Sequence, residues 1–231
     1  MSELQAVFWD MDGTLVDTEP YWIAAEYELV AEHGGQWSQQ QAHQLVGQAL
    51  TYSAGILQEA GVDLPRDEIV HQLMGRVIDK CAERIPWRPG ARELLTELND
   101  HGIRCALVTM SWRPLTEAVL SALPEGHLEF AITGDAVSAG KPDPEAYHVA
   151  FERMAADHPA RTGEPLQRQR CIAIEDSVPG TAAAAASGLV TLAVPHYSPL
   201  PQSSDWHLAE TLAGLGVSEL TELLPKTPAA V

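Results

Sequence analysis

Two pairs of acidic residues in the sequence have a spacing that suits catalysis. Asp10 and Asp12 lie two positions apart directly after a short apolar run, and Glu175 and Asp176 directly follow another. Four converging carboxylates would repel one another unless a cation joined them. Oxygen ligands suit a hard ion, and Mg²⁺ is the usual choice beside phosphate. Taken alone, the first pair also fits an Asp–Gly turn, and the second fits a helix cap by Asp176 or Ser177.

Two further residues have the chemistry of phosphate binding. Thr109 follows the apolar run 103–108, and its hydroxyl with the N–H groups after it could hold phosphate oxygens. Lys141 stands in a turn flanked by Pro142 and Pro144, and its ammonium is a compact charge suited to phosphate. Taken singly, Thr109 also fits a plain strand end and Lys141 an exposed side chain.

The elements that would position these residues alternate between strands and helices. Short apolar runs predict five strands, at residues 6–9, 103–108, 130–132, 171–174 and 189–194. Amphipathic or small-residue patterns predict helices between them, around residues 91–98, 118–122, 146–154 and 182–186. This order predicts an α/β fold with a doubly wound parallel sheet, in which ligands bind beyond the carboxyl ends of the strands.

One long stretch between the first two strands breaks the alternation. From Glu19 to Arg84 the pattern is helical, and Pro20 suits the first turn of a helix. This block is too long for a simple crossover and predicts an inserted α-helical cap. The predicted division is a catalytic core of residues 1–17 and 87–224, a helical cap of residues 18–86 and a flexible tail of residues 225–231. Within the core, residues 157–170 predict a solvated loop.

Composition excludes several classes of protein. The 231 residues include 14 Lys and Arg against 32 Asp and Glu, a formal net charge of −18, with no basic run to bind nucleic acid or an anionic membrane. Three scattered cysteines predict neither a disulfide framework nor a zinc site. The chain shows no signal-peptide pattern and no apolar stretch long enough to span a membrane. We therefore expect a monomeric, cytoplasmic protein whose partner is a small molecule.

The order of these motifs along the chain resembles the haloacid dehalogenase superfamily. An acid pair, a threonine, a lysine and a second acid pair each stand at or near a strand end, and Arg88-Pro89-Gly90-Ala91 and Gly134-Asp135 fit the same pattern. The resemblance covers nearly the whole chain, with the helical block as the cap. It implies a Rossmann-like core with strand order 5-4-1-2-3, which puts the first strand at the centre.

The resemblance also implies roles for the motif residues. Asp10 matches the nucleophile that forms an aspartyl-phosphate, and Asp12 matches the general acid and base. Thr109 and Lys141 would hold the transferring phosphoryl group, assisted by the backbone N–H groups of Met11 and Asp12.

A Mg²⁺ site is implied in the same way. Asp176 matches a metal ligand, together with Asp10 and the backbone carbonyl of Asp12, while Glu175 would assist through the shell around the metal. The acid at Asp12 is typical of the phosphatases and mutases of the superfamily, because its dehalogenases and phosphonate hydrolases lack it.

Within the superfamily, the sequence is most similar to the group of β-phosphoglucomutase and sugar-phosphate phosphatases. The expected function is a Mg²⁺-dependent phosphatase for a small phosphate monoester, and a phosphosugar mutase is the alternative. Trp22 stands where the mutases carry a histidine, and residues 45–50 lack the cations that would hold a second phosphate. Met110, where relatives often have Asn or Ser, leaves the hydrogen bonding after Thr109 open.

Substrate contacts are expected from side chains outside the motifs. Trp22 and Gln48 in the predicted cap, and Arg113 soon after Thr109, are candidates. Further candidates in the cap are Tyr21, Trp37 and Tyr52. Each of the cap side chains also fits packing within the cap or an exposed surface.

Overall fold

The computed structural model describes residues 4–46 and 50–226, which fall into two units. Within the described residues, the first unit covers residues 4–16 and 87–226, and the second lies within residues 17–86. Residues 1–3, residues 47–49 and the end of the predicted tail, residues 227–231, lie outside the described residues.

The described residues of the second unit form four helices. They are α1 (Glu19–Glu32), α2 (Gln39–Leu45), α3 (Leu50–Glu59) and α4 (Arg66–Glu83). Pro20 lies in the first turn of α1, as the sequence predicts, and Ser38 starts α2 with a capping box to Gln41. Helices α1 and α3 both pack on α4. None of the described helices is both long and apolar enough to cross a membrane.

The first unit holds a sheet whose six described strands all run parallel. The strands are β1 (Ala6–Trp9), β2 (Arg104–Val108), β3 (Ala131–Ile132), β4 (Cys171–Glu175), β5 (Val190–Ala193) and β6 (His207–Leu208). Their spatial order is β3-β2-β1-β4-β5-β6. Read from the other edge, this is the predicted order 5-4-1-2-3 with a sixth strand added beside β5.

Helices of the same unit lie between the strands of this sheet in the chain, and the last helix follows β6. They are α5 (Ala91–Asp100), α6 (Arg113–Leu120), α7 (Glu145–Ala155), α8 (His158–Thr162), α9 (Val178–Ala186) and α10 (Val217–Glu222). Helices α7 and α9 share one apolar core with Phe8 of β1 and Ala106 of β2. Val7 and Trp9 are buried outside that cluster, since successive side chains of a strand point to opposite faces.

The register of the central strands decides where the site forms. Trp9 at the end of β1 lies beside Leu107 of β2 and Ile174 of β4. All residues of these three strands are buried, as expected for a parallel sheet covered on both faces. Residues that follow the three strands therefore emerge together at one edge of the sheet.

Two expectations about the fold are wrong. The sequence predicts five strands, but His207 and Leu208 pair with β5 as a sixth. This strand has two residues and an exposed histidine, so it has no apolar run to reveal it. It is held instead by backbone pairing at the sheet edge.

The second correction concerns residues 157–170, which are not a plain solvated loop. They include α8 and a 3-10 helix, Arg168–Arg170. Asp157 anchors the start of α8 because its carboxylate binds Arg104 Nη2 and Arg161 Nε, each at 2.8 Å. His158 is buried beside it, and Gly163, with φ of 81°, ends the helix.

Candidate active site

Three acids gather at the carboxyl edge of the sheet. Asp10 follows β1 and its N–H donates to Ile174 O at 3.0 Å, which ties the start of the loop to β4. Glu175 is the last residue of β4, and Asp176 follows it. All three are buried, and oxygens of the three carboxylates lie within 4.8 Å of one another. The structure thus brings together three of the four acids named from the sequence.

Lys141 lies inside this acidic group. Its Nζ contacts Asp10 Oδ1 and Glu175 Oε1 at 2.6 Å each and donates to Val108 O at 2.8 Å. The side chain is only 5% exposed. Burial would lower the pKa of Lys141, but the charges of Asp10 and Glu175 raise it above its ordinary value, so the ammonium stays charged.

The acids carry more negative charge than one lysine offsets. Burial raises the pKa of both Glu175 and Asp176, and the nearby charge of Asp10 raises both further. A cation bound among these carboxylates would reverse this effect, because it favours their ionised forms. The electrostatics therefore suit a site that holds a cation.

Unsatisfied oxygens support the same interpretation. Within the part of the chain that the structure describes, Asp10 Oδ2 and Glu175 Oε2 are buried with no hydrogen-bond partner. A buried polar atom without a partner lowers the stability of the fold unless it binds a ligand. Asp10, Glu175 and Asp176 together form a group that could hold a metal ion, and its oxygen-only donors fit a hard cation.

Two glycines provide the space that the acidic side chains occupy. Gly13 has φ of 90°, and a Cβ there would overlap the carboxylate of Asp176. A Cβ at Gly180, in the first turn of α9, would overlap the carboxylate of Glu175. Close approach of the loop and of α9 to the sheet edge therefore requires glycine at both positions.

Asp12 makes a different set of contacts from the other acids. Its Oδ2 accepts a hydrogen bond from Ser111 Oγ at 2.6 Å and lies 3.4 Å from Thr109 Oγ1. Ser111 was not singled out from the sequence, although a hydroxyl two positions after Thr109 was a visible signal. The Asp12 side chain is not part of the three-acid group. The metal contact predicted for Asp12 runs through its backbone carbonyl, and it stays a prediction.

Met110 takes a role that the sequence left open. Its Sδ accepts a hydrogen bond from Lys141 N at 3.3 Å, which links the end of β2 to the lysine turn. Met11 is fully buried, and its carbonyl accepts from the N–H groups of Leu15 and Val16 at 2.9 and 3.0 Å. These bonds close the tight loop that carries Asp12.

Tyr147 is a second residue that sequence reasoning missed. It is fully buried on α7, and its hydroxyl donates to Glu175 Oε1 at 2.6 Å. Lys141 Nζ lies 5.3 Å from the centre of its ring. A buried tyrosine on a helix fits ordinary core packing, so only its place six residues after Lys141 pointed to the site.

The candidate substrate residues belong to different parts of the chain. Arg113 begins α6 and lines a cavity of about 230 Å³ with Phe130 and Arg153, while its N–H donates to Asp135 Oδ1 at 3.2 Å. Trp22 is a half-buried residue of α1 in the helical unit. Gln48 lies outside the described residues.

The remaining candidates belong to the helical unit. Trp37 is buried and its Nε1 donates to Glu26 Oε2 at 3.2 Å, whereas Tyr52 is 54% exposed. Tyr21 donates its hydroxyl to Arg84 O at 3.0 Å. Trp37 and Tyr21 therefore each make a hydrogen bond within that unit.

The chain has a doubly wound parallel sheet, with buried acids and a lysine at the carboxyl edge of its central strands. These features define a class of α/β enzyme. The sequence profile of one such family, described as haloacid dehalogenase-like hydrolase, matches residues 4–188. The chain belongs to this family, which confirms the resemblance that its motifs carry.

Known relatives extend along nearly the whole chain. Hexitol phosphatase B of Escherichia coli (strain K12) is 28% identical over 235 residues, which cover 97% of this chain and 96% of that protein. A phosphorylated carbohydrates phosphatase of Thermotoga maritima is 28% identical over 80% of this chain and 82% of its own length. The crystal structure of CbbY from Rhodobacter sphaeroides in complex with phosphate superposes with a TM-score of 0.79 at 27% identity, covering 95% of this chain and 99% of that one.

Proposed function

We propose that this protein is a Mg²⁺-dependent phosphatase that hydrolyses small phosphate monoesters of the sugar or polyol class through an aspartyl-phosphate. The observation that carries the proposal is the Asp10 carboxylate, buried at the end of β1 and bound by Lys141 Nζ at 2.6 Å. The names of the two phosphatase relatives support the reaction and the substrate class.

The first half of the reaction uses Asp10 as nucleophile. A carboxylate oxygen of Asp10 forms a bond to phosphorus while the bond from phosphorus to the ester oxygen breaks. Asp12, protonated at this stage, gives its proton to the departing oxygen, which leaves as an alcohol. Asp10 then carries the phosphoryl group.

The second half reverses the role of Asp12. As a carboxylate it accepts a proton from water, whose oxygen attacks phosphorus and displaces Asp10. Phosphate leaves, Asp10 is again a carboxylate and Asp12 is again protonated. Both steps therefore depend on how the carboxyl group of Asp12 is oriented.

The charge of the phosphoryl group must be offset in both steps. We assign the binding of its oxygens to Lys141, to Thr109 and to the backbone N–H groups of the loop at Met11. Asp10 and Asp176 would hold Mg²⁺, with Glu175 supporting it and the carbonyl of Asp12 as a further ligand. When bound, the ion would supply positive charge to both the carboxylates and the phosphoryl oxygens.

Phosphate release by the purified protein tests the proposal. The substrates are a panel of hexitol, hexose and pentose phosphates, assayed with Mg²⁺ and with a chelator. We expect release only with metal, and a loss of at least about a thousandfold in Asp10→Asn. Asp100→Asn, an exposed acid at the end of α5, is the matched control and keeps wild-type activity.

Two outcomes would contradict the proposal. One is failure to release phosphate from any ester, and the other is equal activity in Asp10→Asn. Conversion of a hexose 1-phosphate to the 6-phosphate in the presence of a bisphosphate activator would favour the mutase alternative instead.

A further inference from the structure

We propose that Ser111 is a positioning residue that holds the Asp12 carboxyl group in the orientation needed for proton transfer to the leaving group. The inference rests on the proposed function, in which Asp12 is the general acid and base. Its structural basis is the hydrogen bond from Ser111 Oγ to Asp12 Oδ2, at 2.6 Å.

An aspartate needs such a partner because its own torsion does not fix the carboxyl plane. The terminal torsion of an aspartate is broad and nearly two-fold, so neighbouring donors decide where the oxygens point. Thr109 Oγ1 also faces Asp12 Oδ2, but the distance of 3.4 Å is long for a bond between a hydroxyl and a carboxylate. Ser111 supplies the short contact of the two.

The hydroxyl of Ser111 is itself held in place by its backbone. Ser111 N donates to Thr109 Oγ1 at 3.0 Å, and Ser111 O accepts from Gly134 N at 3.1 Å. Gly134 approaches so closely that a Cβ there would overlap Met110 O. The segment between β2 and α6 is therefore fixed on both sides of the serine.

The same segment also reaches the lysine turn. Met110 Sδ accepts from Lys141 N, while the adjacent Ser111 binds Asp12. Two consecutive side chains thus tie the end of β2 to the lysine turn on one side and to Asp12 on the other. A hydroxyl at position 111 is what makes the second connection.

The need for Asp12 depends on the leaving group. Proton donation matters most when the departing oxygen is basic, as in phenol, and least when it is stable as an anion, as in p-nitrophenol. Phenyl phosphate and p-nitrophenyl phosphate have similar shapes and differ mainly in this respect. A residue that acts through Asp12 must therefore affect the two esters unequally.

The experiment compares kcat/KM for these two esters at saturating Mg²⁺ in wild type, Ser111→Ala and Ser111→Thr. We expect Ser111→Ala to lose about 10- to 100-fold with phenyl phosphate but no more than about threefold with p-nitrophenyl phosphate. Ser111→Thr keeps the hydroxyl and should restore the wild-type ratio. Ser121→Ala removes an exposed serine hydroxyl from the end of α6 and should leave both values unchanged.

Thermal unfolding of each variant separates a change in chemistry from a loss of fold. Where Ser111→Ala fails to fold, Ser111→Cys, which keeps a side chain of similar shape with a weak donor, is assayed in its place. Equal losses on both esters, or no loss on either, would overturn the role assigned to Ser111. Failure of the wild type to release phosphate from any ester, the sugar and polyol phosphates included, would instead overturn the proposed function, and this inference with it.

Discussion

Two charged groups at the candidate site, Asp12 and Glu175, are contacted by a neighbour that performs no chemistry itself. Glu175 is the clearest case, because its Oε1 receives both Lys141 Nζ and Tyr147 Oη at 2.6 Å. Because Oε1 contacts both of these donors, the orientation of the carboxylate is fixed. Its other oxygen, Oε2, has no hydrogen-bond partner among the described residues. Partners of this kind fix the orientation of a metal-binding carboxylate, and their loss commonly lowers metal affinity by about 10- to 100-fold.

The first prediction concerns this partner of Glu175. Tyr147→Phe removes one donor while it keeps the ring against Lys141. We expect the Mg²⁺ concentration for half-maximal activity to rise by about 10-fold or more, because Glu175 loses its fixed orientation. The measurement is phosphate release as a function of Mg²⁺ concentration.

Tyr27→Phe is the matched control for this change. Tyr27 is a partly exposed residue of α1, so its variant should show the wild-type Mg²⁺ dependence. An unchanged Mg²⁺ dependence in Tyr147→Phe would show that Lys141 alone orients Glu175.

What the sequence predicts at this scale are residues next to strand ends. Asp10, Thr109, Glu175 and Asp176 each follow or end an apolar run, so the parallel sheet brings them to one edge. Ser111 and Tyr147 are harder to recognise from the sequence, because each acts through another side chain. A serine in a loop or a tyrosine on a helix has many common roles, and only the folded chain shows which atom it touches.

At the scale of elements, α9 lies close on the sheet because its buried residues are small. Gly180, Ala183 and Ala184 are buried, and Gly180 leaves the space that the Glu175 carboxylate fills. A helix with larger residues on this face would stand farther from β4. The same small residues that pack the core therefore make room for the site.

A pair of glycine substitutions tests this arrangement. We expect Gly180→Ala to lower kcat/KM strongly, by about 10-fold or more, because a 1 Å displacement at a site can cost about a hundredfold. Gly75→Ala on α4 is the matched control, since nothing lies within 4 Å of a Cβ there. It should keep full activity and gain about 0.5–1 kcal/mol of stability from helix propensity. Equal activity of the two variants would show that Glu175 moves aside at no cost.

The elements themselves divide into those with a sequence pattern and those without one. Five strands are wholly or largely apolar, and Leu94, Leu95 and Leu98 mark the buried face of α5. Strand β6 and helix α8 lack such patterns. The first depends on pairing with β5 and the second on Arg104, a residue more than fifty positions earlier in the chain.

Helix α1 carries a buried acid that makes stability depend on pH. Burial of Glu26 raises its pKa from 4.5 to about 8, against the opposing effect of its hydrogen bond from Trp37. Between these values the unfolded chain has released this proton and the folded chain keeps it. The stability that the neutral Glu26 contributes is therefore complete below about pH 4.5 and is lost as pH rises towards 8.

Chemical denaturation between pH 4.5 and 8 tests this effect. The free energy of unfolding of wild type should fall relative to that of Glu26→Gln, by at most about 1.4 kcal/mol per pH unit. Gln is neutral at every pH and still accepts from Trp37, so the variant should be the more stable protein at pH 8. Glu59→Gln, an exposed acid on α3, should follow the wild-type curve. Parallel curves for wild type and Glu26→Gln would place the Glu26 pKa near its ordinary value.

At the scale of the whole molecule, the charge works against the proposed substrate. Setting aside Asp10, Asp12, Glu175, Asp176 and Lys141 leaves 28 acids against 13 bases. The excess therefore belongs to the rest of the chain and repels a phosphate ester at long range. Attraction must come from Lys141 and the proposed Mg²⁺ at short range, where salt screens much less.

This balance predicts an unusual dependence on ionic strength. Raising the salt from about 20 to about 200 mM, at saturating Mg²⁺, shortens the screening length from about 20 Å to about 7 Å and weakens the long-range repulsion. We expect kcat/KM for a sugar phosphate to rise about twofold or more, whereas an electrostatically steered enzyme would slow down. A variant with Glu93, Glu125 and Glu210 changed to Gln loses three exposed negative charges and should start from a higher value at low salt and rise less. A fall of kcat/KM with salt in both proteins would show that the local positive charge of the site outweighs the acidic surface even at long range.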